Sequence, residues 1–324
     1  MASTEHWAFP SSLQPAADEV AFELPAVLDA VVALRAEVPE DAFTASILGT
    51  ERTGNGIVLN ADGLVLTIGY LITEAESIWL TSNRGSVVQG YPLAYDFATG
   101  FGLVLPVGKL DAPALPRGSI AAVESGDEVY VIGHGGREHA LTARVLAKRE
   151  FAGYWEYVLD EAVFTVPAHP EWSGAALVDD SGRLVGVGSL LVQESVGEET
   201  VQGNMFVPID LIESILTDLV QRGRRRGAVR PWLGMYTAQA DDRLIVHGIA
   251  QRGPAQRAGV RPGDRVIEVA GERVDRLPEL FRRIWALGPA GTAVPLTLER
   301  DGRRVEVSVR SADREDFLRK PPLQ

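Results

Sequence analysis

The sequence predicts a mainly β protein of two domains, a larger sandwich or barrel followed by a small β-rich domain with two helices. Two observations predict this fold class. Short apolar runs recur at intervals of about ten residues through the first two thirds of the chain, and turns rich in Asp and Gly separate them. A length of 324 residues fits two domains of ordinary size.

The larger domain is predicted from strands between residues 43 and 207. Turn sequences such as 60–63 and 179–182 end in glycine, which supplies the positive φ that hairpins need. Many short strands joined in this way are typical of a sandwich or a barrel. The apolar runs that predict strands are 56–59, 64–67, 78–80, 102–105, 128–132, 176–178 and 184–187.

The pattern becomes helical after Pro208 and then stops at an arginine-rich stretch. Apolar residues fall on one helical face at Ile212, Ile215, Leu216 and Leu219. The stretch 222–227 contains four arginines and two glycines, and we interpret it as a solvated linker rather than an interaction patch. The predicted organisation is an N-terminal arm (1–24), a first domain (25–221), a linker (222–228), a second domain (229–312) and a tail (313–324).

The second domain is predicted from a run of turn and cap signals. Pro254 begins a one-turn helix, where its missing N–H costs nothing, and Gly259 can take the left-handed position that ends it. The turn 262–264 then leads into a strand at 266–269. An amphipathic helix begins at Leu277, with apolar spacings of three and four, and two strands close the domain.

Composition excludes several classes of function. The chain has 31 basic and 44 acidic residues, a formal charge of −13, which argues against nucleic acid and anionic membranes as partners. It has no cysteine, so disulfides, cysteine-ligated metals and thiol catalysis are excluded. No cofactor is predicted.

The beginning of the chain bears on location. Residues 1–34 contain no Lys or Arg, whereas a secretory signal begins with a basic segment and continues with an apolar one. No apolar run reaches the roughly 18 residues that a membrane helix needs. We therefore expect a cytoplasmic protein.

The second domain resembles a PDZ domain of the kind that follows bacterial HtrA/Deg proteases. The resemblance lies in segments 253–255, 258–260 and 262–264. It implies that an extended peptide adds to a sheet edge and that its terminal carboxylate binds backbone amides of one loop. That loop matches Trp232-Leu233-Gly234-Met235. The helix after Leu277 would form the other wall, with one or two of its apolar residues facing the peptide and the rest in the core. We name Phe281 and Ile284 as peptide-binding candidates.

The first domain resembles the trypsin-like domain of the same family, which implies a chymotrypsin-like double β-barrel. The matching segments are the first hairpin at 53–67, the strand region 125–133, and the segment around Ser173 with its following strand at 172–186. Together the two resemblances cover roughly residues 28–310. Members of this family often form trimers, so a homo-oligomer is a possible state, and the arm aromatics Trp7, Phe9 and Phe22 are candidates for its contacts.

The catalytic positions implied by this resemblance are largely substituted. The family places a histidine where this chain has Tyr70 and an aspartate where it has Gly100, while Ser173 keeps the nucleophile position. Glu171 replaces a glycine whose N–H would help to stabilise the oxyanion. Asp96 lies four residues before Gly100, but without a histidine it has nothing to orient.

Two other arrangements remain open in the sequence. One is that His169 or His134 supplies the base beside Ser173, although loop histidines with satisfied hydrogen bonds are the simpler interpretation. A metal site formed by His134, His139 and His169 is also conceivable, but their spacing does not specify one, and no metal is predicted.

These observations favour a non-catalytic, HtrA-like pseudoprotease that binds peptide C-termini, unfolded proteins or partner proteins through its PDZ-like domain. It would act as an adaptor, a chaperone-like holder or a regulatory protein. The alternative is an active, atypical HtrA-type serine endopeptidase that uses Ser173.

Overall fold

The computed structural model describes residues 7–197 and 199–320. The chain divides into two compact units. The first contains the described residues up to Arg149, then Glu161–Arg225 and Lys320, and the second contains Glu150–Asp160 and Arg226–Arg319. The sequence places residues 150–160 in the first domain, whereas their contacts lie in the second unit. Residues 1–6 of the predicted arm and 321–324 of the predicted tail lie outside the described residues.

The first unit begins with a six-stranded barrel. A short helix, α1 (Leu24–Asp29), leads into it, and α2 (Ala45–Leu48) follows its first strand. Its strands are β1 (Val31–Glu37), β2 (Glu51–Val58), β3 (Val65–Ile68), β4 (Ser77–Thr81), β5 (Val87–Tyr95) and β6 (Phe101–Val107). They close in the order β1, β2, β3, β6, β5, β4, and every neighbouring pair is antiparallel.

Alternation along the strands places the core inside this barrel. In β1, Leu34 and Ala36 are buried while Arg35 and Glu37 are exposed, because successive residues of a strand point to opposite faces.

A second barrel of six strands completes the first unit. Its strands are β7 (Glu128–Ile132), β8 (Ala140–Gly153), β9 (Tyr157–Val166), β10 (Ala176–Val178), β11 (Leu184–Val196) and β12 (Glu199–Pro208). The order around the barrel is β10, β11, β12, β9, β8, β7. Its interior is filled by apolar side chains that include Val131, Leu141, Val163, Leu177 and Phe206.

The helical region after this barrel is divided in two, where the sequence predicts one helix. Helix α3 (Asp210–Glu213) ends at Ser214, and α4 (Leu216–Arg222) begins two residues later. The predicted apolar face is nevertheless buried at Ile212, Ile215 and Leu219.

The second unit is a twisted sheet with two helices. Its elements are β13 (Met235–Ala240), β14 (Arg243–Ile249), α5 (Pro254–Arg257), β15 (Arg265–Val269), β16 (Glu272–Arg273), α6 (Leu277–Ala286), β17 (Ala293–Arg300) and β18 (Arg303–Arg310). The sheet order is β13, β14, β15, β17, β18, with β16 paired to β15. The predicted mainly β protein, a double barrel followed by a small α+β domain, is confirmed.

The arginines of the linker are more ordered than the sequence suggests. Arg225 forms a two-pronged ion pair with the buried carboxylate of Asp96, with Nε–Oδ1 and Nη2–Oδ2 distances of 2.8 Å. The interpretation of this stretch as simply solvated is therefore wrong for Arg225, because bidentate pairing with a buried carboxylate favours one geometry.

The arm aromatics that the sequence links to oligomer contacts pack within their own chain. The Trp7 ring lies 4.2 Å from the His139 ring, and the Phe9 ring lies 5.0 Å from the His169 ring. Phe22 packs edge-on against Tyr130. All three rings thus pack against residues of the second-barrel region. None of the helices in the described part of the chain combines the length and hydropathy that a membrane crossing requires.

Candidate functional site

Ser173 lies in the loop between β9 and β10, and this loop is held by Asn55 of β2. The backbone N–H of Asn55 donates to the Ser173 carbonyl at 2.7 Å, and Asn55 Nδ2 donates to the Glu171 carbonyl at 2.8 Å. Gly174 has a φ of +73°, and a Cβ there would lie 2.0 Å from the Asn55 carbonyl oxygen. Only glycine fits this close approach, so the Ser173 side chain is presented by a tightly constrained turn.

Tyr70 contacts the Ser173 hydroxyl directly. It lies in a one-turn 3₁₀ helix, Gly69–Leu71, that follows β3. Its Oη is 2.7 Å from Ser173 Oγ and donates to the Ser189 carbonyl at 2.8 Å. Because the phenol has one proton and gives it to Ser189, the Ser173 hydroxyl is the donor to Tyr70.

Tyr70 is nevertheless unsuited to the role of general base. Burial raises the pKa of Tyr70 to about 12, partly offset by the hydrogen bond from Ser173. At neutral pH only about one molecule in 10⁵ would carry the phenolate, and a neutral phenol does not take up a proton from serine. The pair therefore fixes the position of Ser173 without activating it.

Gly100, which the resemblance places at the aspartate position, has a backbone conformation that disfavours an aspartate. Gly100 has a φ of +85°, a conformation that an aspartate would adopt only with strain. Asp96 instead accepts hydrogen bonds from Thr99, at 2.9 Å from its N and 2.7 Å from its Oγ1, and pairs with Arg225. Its carboxylate holds a turn and the linker.

The backbone N–H of Glu171 is not available for an oxyanion. It donates to His169 Nδ1 at 3.0 Å. The Glu171 carboxylate accepts a hydrogen bond from Trp7 Nε1 at 3.2 Å and lies 3.7 Å from His139 Nδ1. With Glu171 in place of a glycine, the backbone geometry that suits an oxyanion is expected to be lost. In the structure, the Glu171 amide is used in the hydrogen bond to His169.

None of the described histidines is placed to act as a base for Ser173. His169 is fully buried, and its Nδ1 accepts from Glu171 while Nε2 lies 2.9 Å from the His139 carbonyl, which places the ring proton on Nε2. Burial also lowers the pKa values of His169 and His134. In the described part of the chain, no histidine ring is hydrogen-bonded to Ser173 Oγ.

The alternative of a metal site at His134, His139 and His169 has no structural counterpart within residues 7–197 and 199–320. No group of three or more His, Asp or Glu side chains there is placed to hold a metal ion.

A cleft of about 970 Å³ opens beside Ser173. Its walls come from β1, β2 and β4 of the first barrel and from loops of the second, and they include Arg35, Trp79, His134, Glu171 and Trp172. The cleft leaves space for an extended chain beside the Ser173 hydroxyl.

The predicted carboxylate loop of the second unit binds a carboxylate. The backbone amides of Leu233, Gly234 and Met235 all donate to the side chain of Glu156, with a distance of 2.7 Å from Gly234 N to Oε1. The Trp232 amide instead donates to Ala312. Three of the four predicted loop residues therefore converge on one anion, as backbone nests do.

Gly234 makes this convergence possible. Its φ is +69°, and a Cβ there would lie 2.9 Å from Ala250 Cβ and 3.0 Å from the Trp232 ring. The Trp232 side chain is buried and packs against Phe317, so it supports the loop from behind.

The two helix residues named as peptide-binding candidates are core residues here. Phe281 and Ile284 have no exposed surface and belong to the apolar cluster of the second unit, which includes Val158 from the 150–160 segment. The expectation of an open groove lined by them is wrong in this structure, because their apolar area is already covered.

Sequence reasoning missed Glu156, Asn55 and the His169–Glu171 contact. The signal for Glu156 was a cluster of aromatic residues, Tyr154 and Trp155, at the tip of a hairpin between two strands, where polar residues are usual. No local signal marks the other two.

The sequence comparisons agree with both units. The trypsin-like peptidase domain family matches residues 54–187, and the PDZ domain family matches residues 231–310. The "Probable periplasmic serine endoprotease DegP-like" of Pseudomonas fluorescens is 27% identical over 278 residues, 81% of this chain and 57% of the relative. "Serine endoprotease DegS" of Haemophilus influenzae is 21% identical over 272 residues, 81% of this chain and 77% of the relative. The chain spans little more than half the length of the DegP-like relative.

Solved structures show the same fold. The "HtrA-type protease AlgW with decapeptide" is 18% identical with a TM-score of 0.54, over 93% of this chain and all of that one (100%). The serine endoprotease from Yersinia pestis is 20% identical with a TM-score of 0.51, over 91% of this chain and 99% of that one.

Proposed function

Because this chain belongs to the HtrA-type family of trypsin-like proteases with PDZ domains, we propose that it is a non-catalytic member that binds peptides or proteins. The observation that carries the proposal is the 2.7 Å contact between Tyr70 Oη and Ser173 Oγ. A neutral phenol occupies the place of the base, so Ser173 stays a hydroxyl at neutral pH.

Peptide capture is the retained activity in this proposal. The amides of Leu233, Gly234 and Met235 bind a carboxylate in the structure, which supports binding of peptide C-termini in the same loop. The protein would act as an adaptor, a chaperone-like holder or a regulatory protein. A cytoplasmic location is part of this proposal, and cell fractionation would check it.

A second candidate is an atypical serine endopeptidase. The 970 Å³ cleft beside Ser173 favours it, and the relatives above are named as serine endoproteases. This candidate requires Ser173 to act as a nucleophile without its usual partners, and losing members of a triad removes most of the nucleophilic acceleration.

One experiment separates the two candidates. The purified chain is incubated with a fluorophosphonate probe and with unfolded casein, alongside Ser173→Ala. We expect equal, background labelling and no cleavage for both proteins. Labelling or cleavage that Ser173→Ala abolishes would reject the non-catalytic proposal.

A further inference from the structure

The segment 150–160 is a hairpin tip whose contacts resemble those of a bound peptide. It joins β8 to β9, and Glu156 in its turn has a φ of +62°. A left-handed glutamate costs roughly 1–2 kcal/mol, so other contacts must hold it. Those contacts are made in the second unit, to which the segment belongs.

The carboxylate of Glu156 fills the loop completely. Oε1 accepts from Gly234 N at 2.7 Å, Met235 N at 3.1 Å and Leu233 N at 3.2 Å, and Oε2 accepts from Leu233 N at 3.0 Å. These are the amides that a peptide terminus would use. A peptide carboxylate and Glu156 therefore cannot bind the loop together.

The residue two positions earlier makes a strand-like contact. The Thr237 N–H, two residues along β13 from Met235, donates to the Tyr154 carbonyl at 3.1 Å. The Tyr154 ring lies 5.0 Å from the His247 ring and 6.2 Å from the Tyr236 ring. Backbone pairing with a strand edge and a side chain between neighbours are the features by which an added peptide strand is recognised.

Charge pairs hold the base of the hairpin tip against α6. Arg282 donates to both Glu150 and Asp160, one on each side of the tip, and Arg276 donates to Glu150 at 3.1 Å. Within the described residues, the hydrogen bonds of Arg282 go to Glu150 and Asp160 and not to the carboxylate loop, so its role in docking can be tested apart from that loop.

We propose that residues 150–160 are an internal ligand of the carboxylate loop, and that a C-terminal peptide binds only by displacing them. The inference rests on the proposed function, since it concerns the same peptide site. The displacing ligand is a peptide with a free C-terminal carboxylate in place of that of Glu156. It carries an aromatic residue two positions earlier in place of Tyr154.

Displacement sets the apparent affinity. If the tip occupies the loop in nine molecules of ten, peptide binding is weakened about tenfold relative to an open loop. Removing the internal carboxylate should recover that factor.

The test uses the full chain and a fluorescein-labelled peptide, Ala-Gly-Tyr-Trp-Val, as free acid and as C-terminal amide. Fluorescence anisotropy compares wild type with Glu156→Ala and with Glu161→Ala, an exposed control on β9. Hydrogen exchange of residues 232–236 reports loop occupancy without any peptide. Glu156→Gln keeps the shape of the side chain should Glu156→Ala fold poorly, and Arg282→Ala loosens the tip from a distance.

We expect Glu156→Ala to bind the free acid at least about tenfold more tightly than wild type, with faster exchange of residues 232–236. Glu156→Gln and Arg282→Ala should show smaller gains, while Glu161→Ala and the amide peptide should show none.

Equal affinity and equal exchange in wild type and Glu156→Ala would overturn the internal-ligand inference while leaving peptide capture intact. Faster exchange without free-acid binding in any variant would instead reject peptide capture, and with it the displacement step, while supporting the internal contact.

Discussion

Ser173 Oγ lies 2.7 Å from Tyr70 Oη, and the Tyr70 hydroxyl donates its own hydrogen bond to the Ser189 carbonyl. The Ser173 hydroxyl therefore donates a hydrogen bond to Tyr70 Oη, and this neutral phenol oxygen does not take up the serine proton. Tyr70 therefore holds the Ser173 hydroxyl in a hydrogen bond, and a neutral phenol in that place does not act as a base towards it.

Tyr70→Phe should destabilise the first unit by about 1–2 kcal/mol, because the Ser189 carbonyl and the Ser173 hydroxyl both lose a buried partner. Urea unfolding followed by tryptophan fluorescence measures this loss. Tyr91→Phe is the matched control, since the Tyr91 hydroxyl makes no hydrogen bond in the described part of the chain. Equal effects of the two substitutions would contradict the structural role given to Tyr70.

Gly234→Ala should cost more stability than Gly271→Ala. Both glycines have positive φ, +69° and +81°, but only at Gly234 would a Cβ meet other atoms within 4 Å. We expect about 1 kcal/mol for the shared backbone strain and roughly 1–3 kcal/mol more at Gly234, together with loss of free-acid peptide binding. Thermal unfolding and anisotropy measure the two effects. Retained peptide binding in Gly234→Ala would show that the loop is not the carboxylate site.

Peptide affinity should rise with pH. Burial raises the pKa of Glu156 to about 7 from an ordinary 4.5, against the opposing effect of the loop amides and Arg314. The docked tip thus holds its proton more tightly than a released tip. By linkage, docking is strongest below about pH 4.5 and weakens as the pH rises to about 7.

A peptide terminus stays ionised over this range, so free-acid binding should be about tenfold tighter at pH 7.5 than at pH 5.5. Anisotropy titrations at the two pH values measure the change. Burial raises the pKa of Tyr236 above its ordinary 10, so Tyr236 does not titrate here. His247, against Tyr154, is tested by His247→Gln. If Glu156→Gln showed the same pH dependence of peptide binding as wild type, the pH dependence would have to come from a group other than Glu156.

Arg225→Ala should destabilise the first unit by about 1–2 kcal/mol. Asp96 is only 5% exposed and would lose both bonds to the guanidinium, although Arg225 is itself 37% exposed, which reduces the effect. Arg222→Ala is the control, because its 4.0 Å pair with Asp218 lies at the surface of α4 and should contribute no more than about 0.5 kcal/mol. Urea unfolding compares them, and a larger loss for Arg222→Ala would refute this ordering.

Much of the fold follows from local patterns. Residues 56–58 of the predicted strand lie in β2, and β3 follows the predicted turn, because apolar runs and glycine turns act over a few residues. The helix after Pro208 is the counterexample. Its apolar face was predicted, but the break at Ser214 was not.

The candidate site positions likewise come from the sequence and its family resemblance. Tyr70, Gly100 and the loop 232–235 are read from motifs, with no need of a tertiary contact. Phe281 and Ile284 show what the sequence pattern does not provide, because helical periodicity does not distinguish a side chain that faces a groove from one in the core.

The sequence by itself determined the mainly β class and the two modules, and the family resemblance placed Tyr70 and Gly100 at positions where it implies a histidine and an aspartate. Only the tertiary structure decided which distant groups meet: Tyr70 with Ser173, 103 residues apart, and Glu156 with Gly234, 78 residues apart. The physical reason is that hydrophobic periodicity acts along a strand or helix, whereas these contacts depend on closed barrels and a folded-back hairpin that bring distant segments within hydrogen-bond distance.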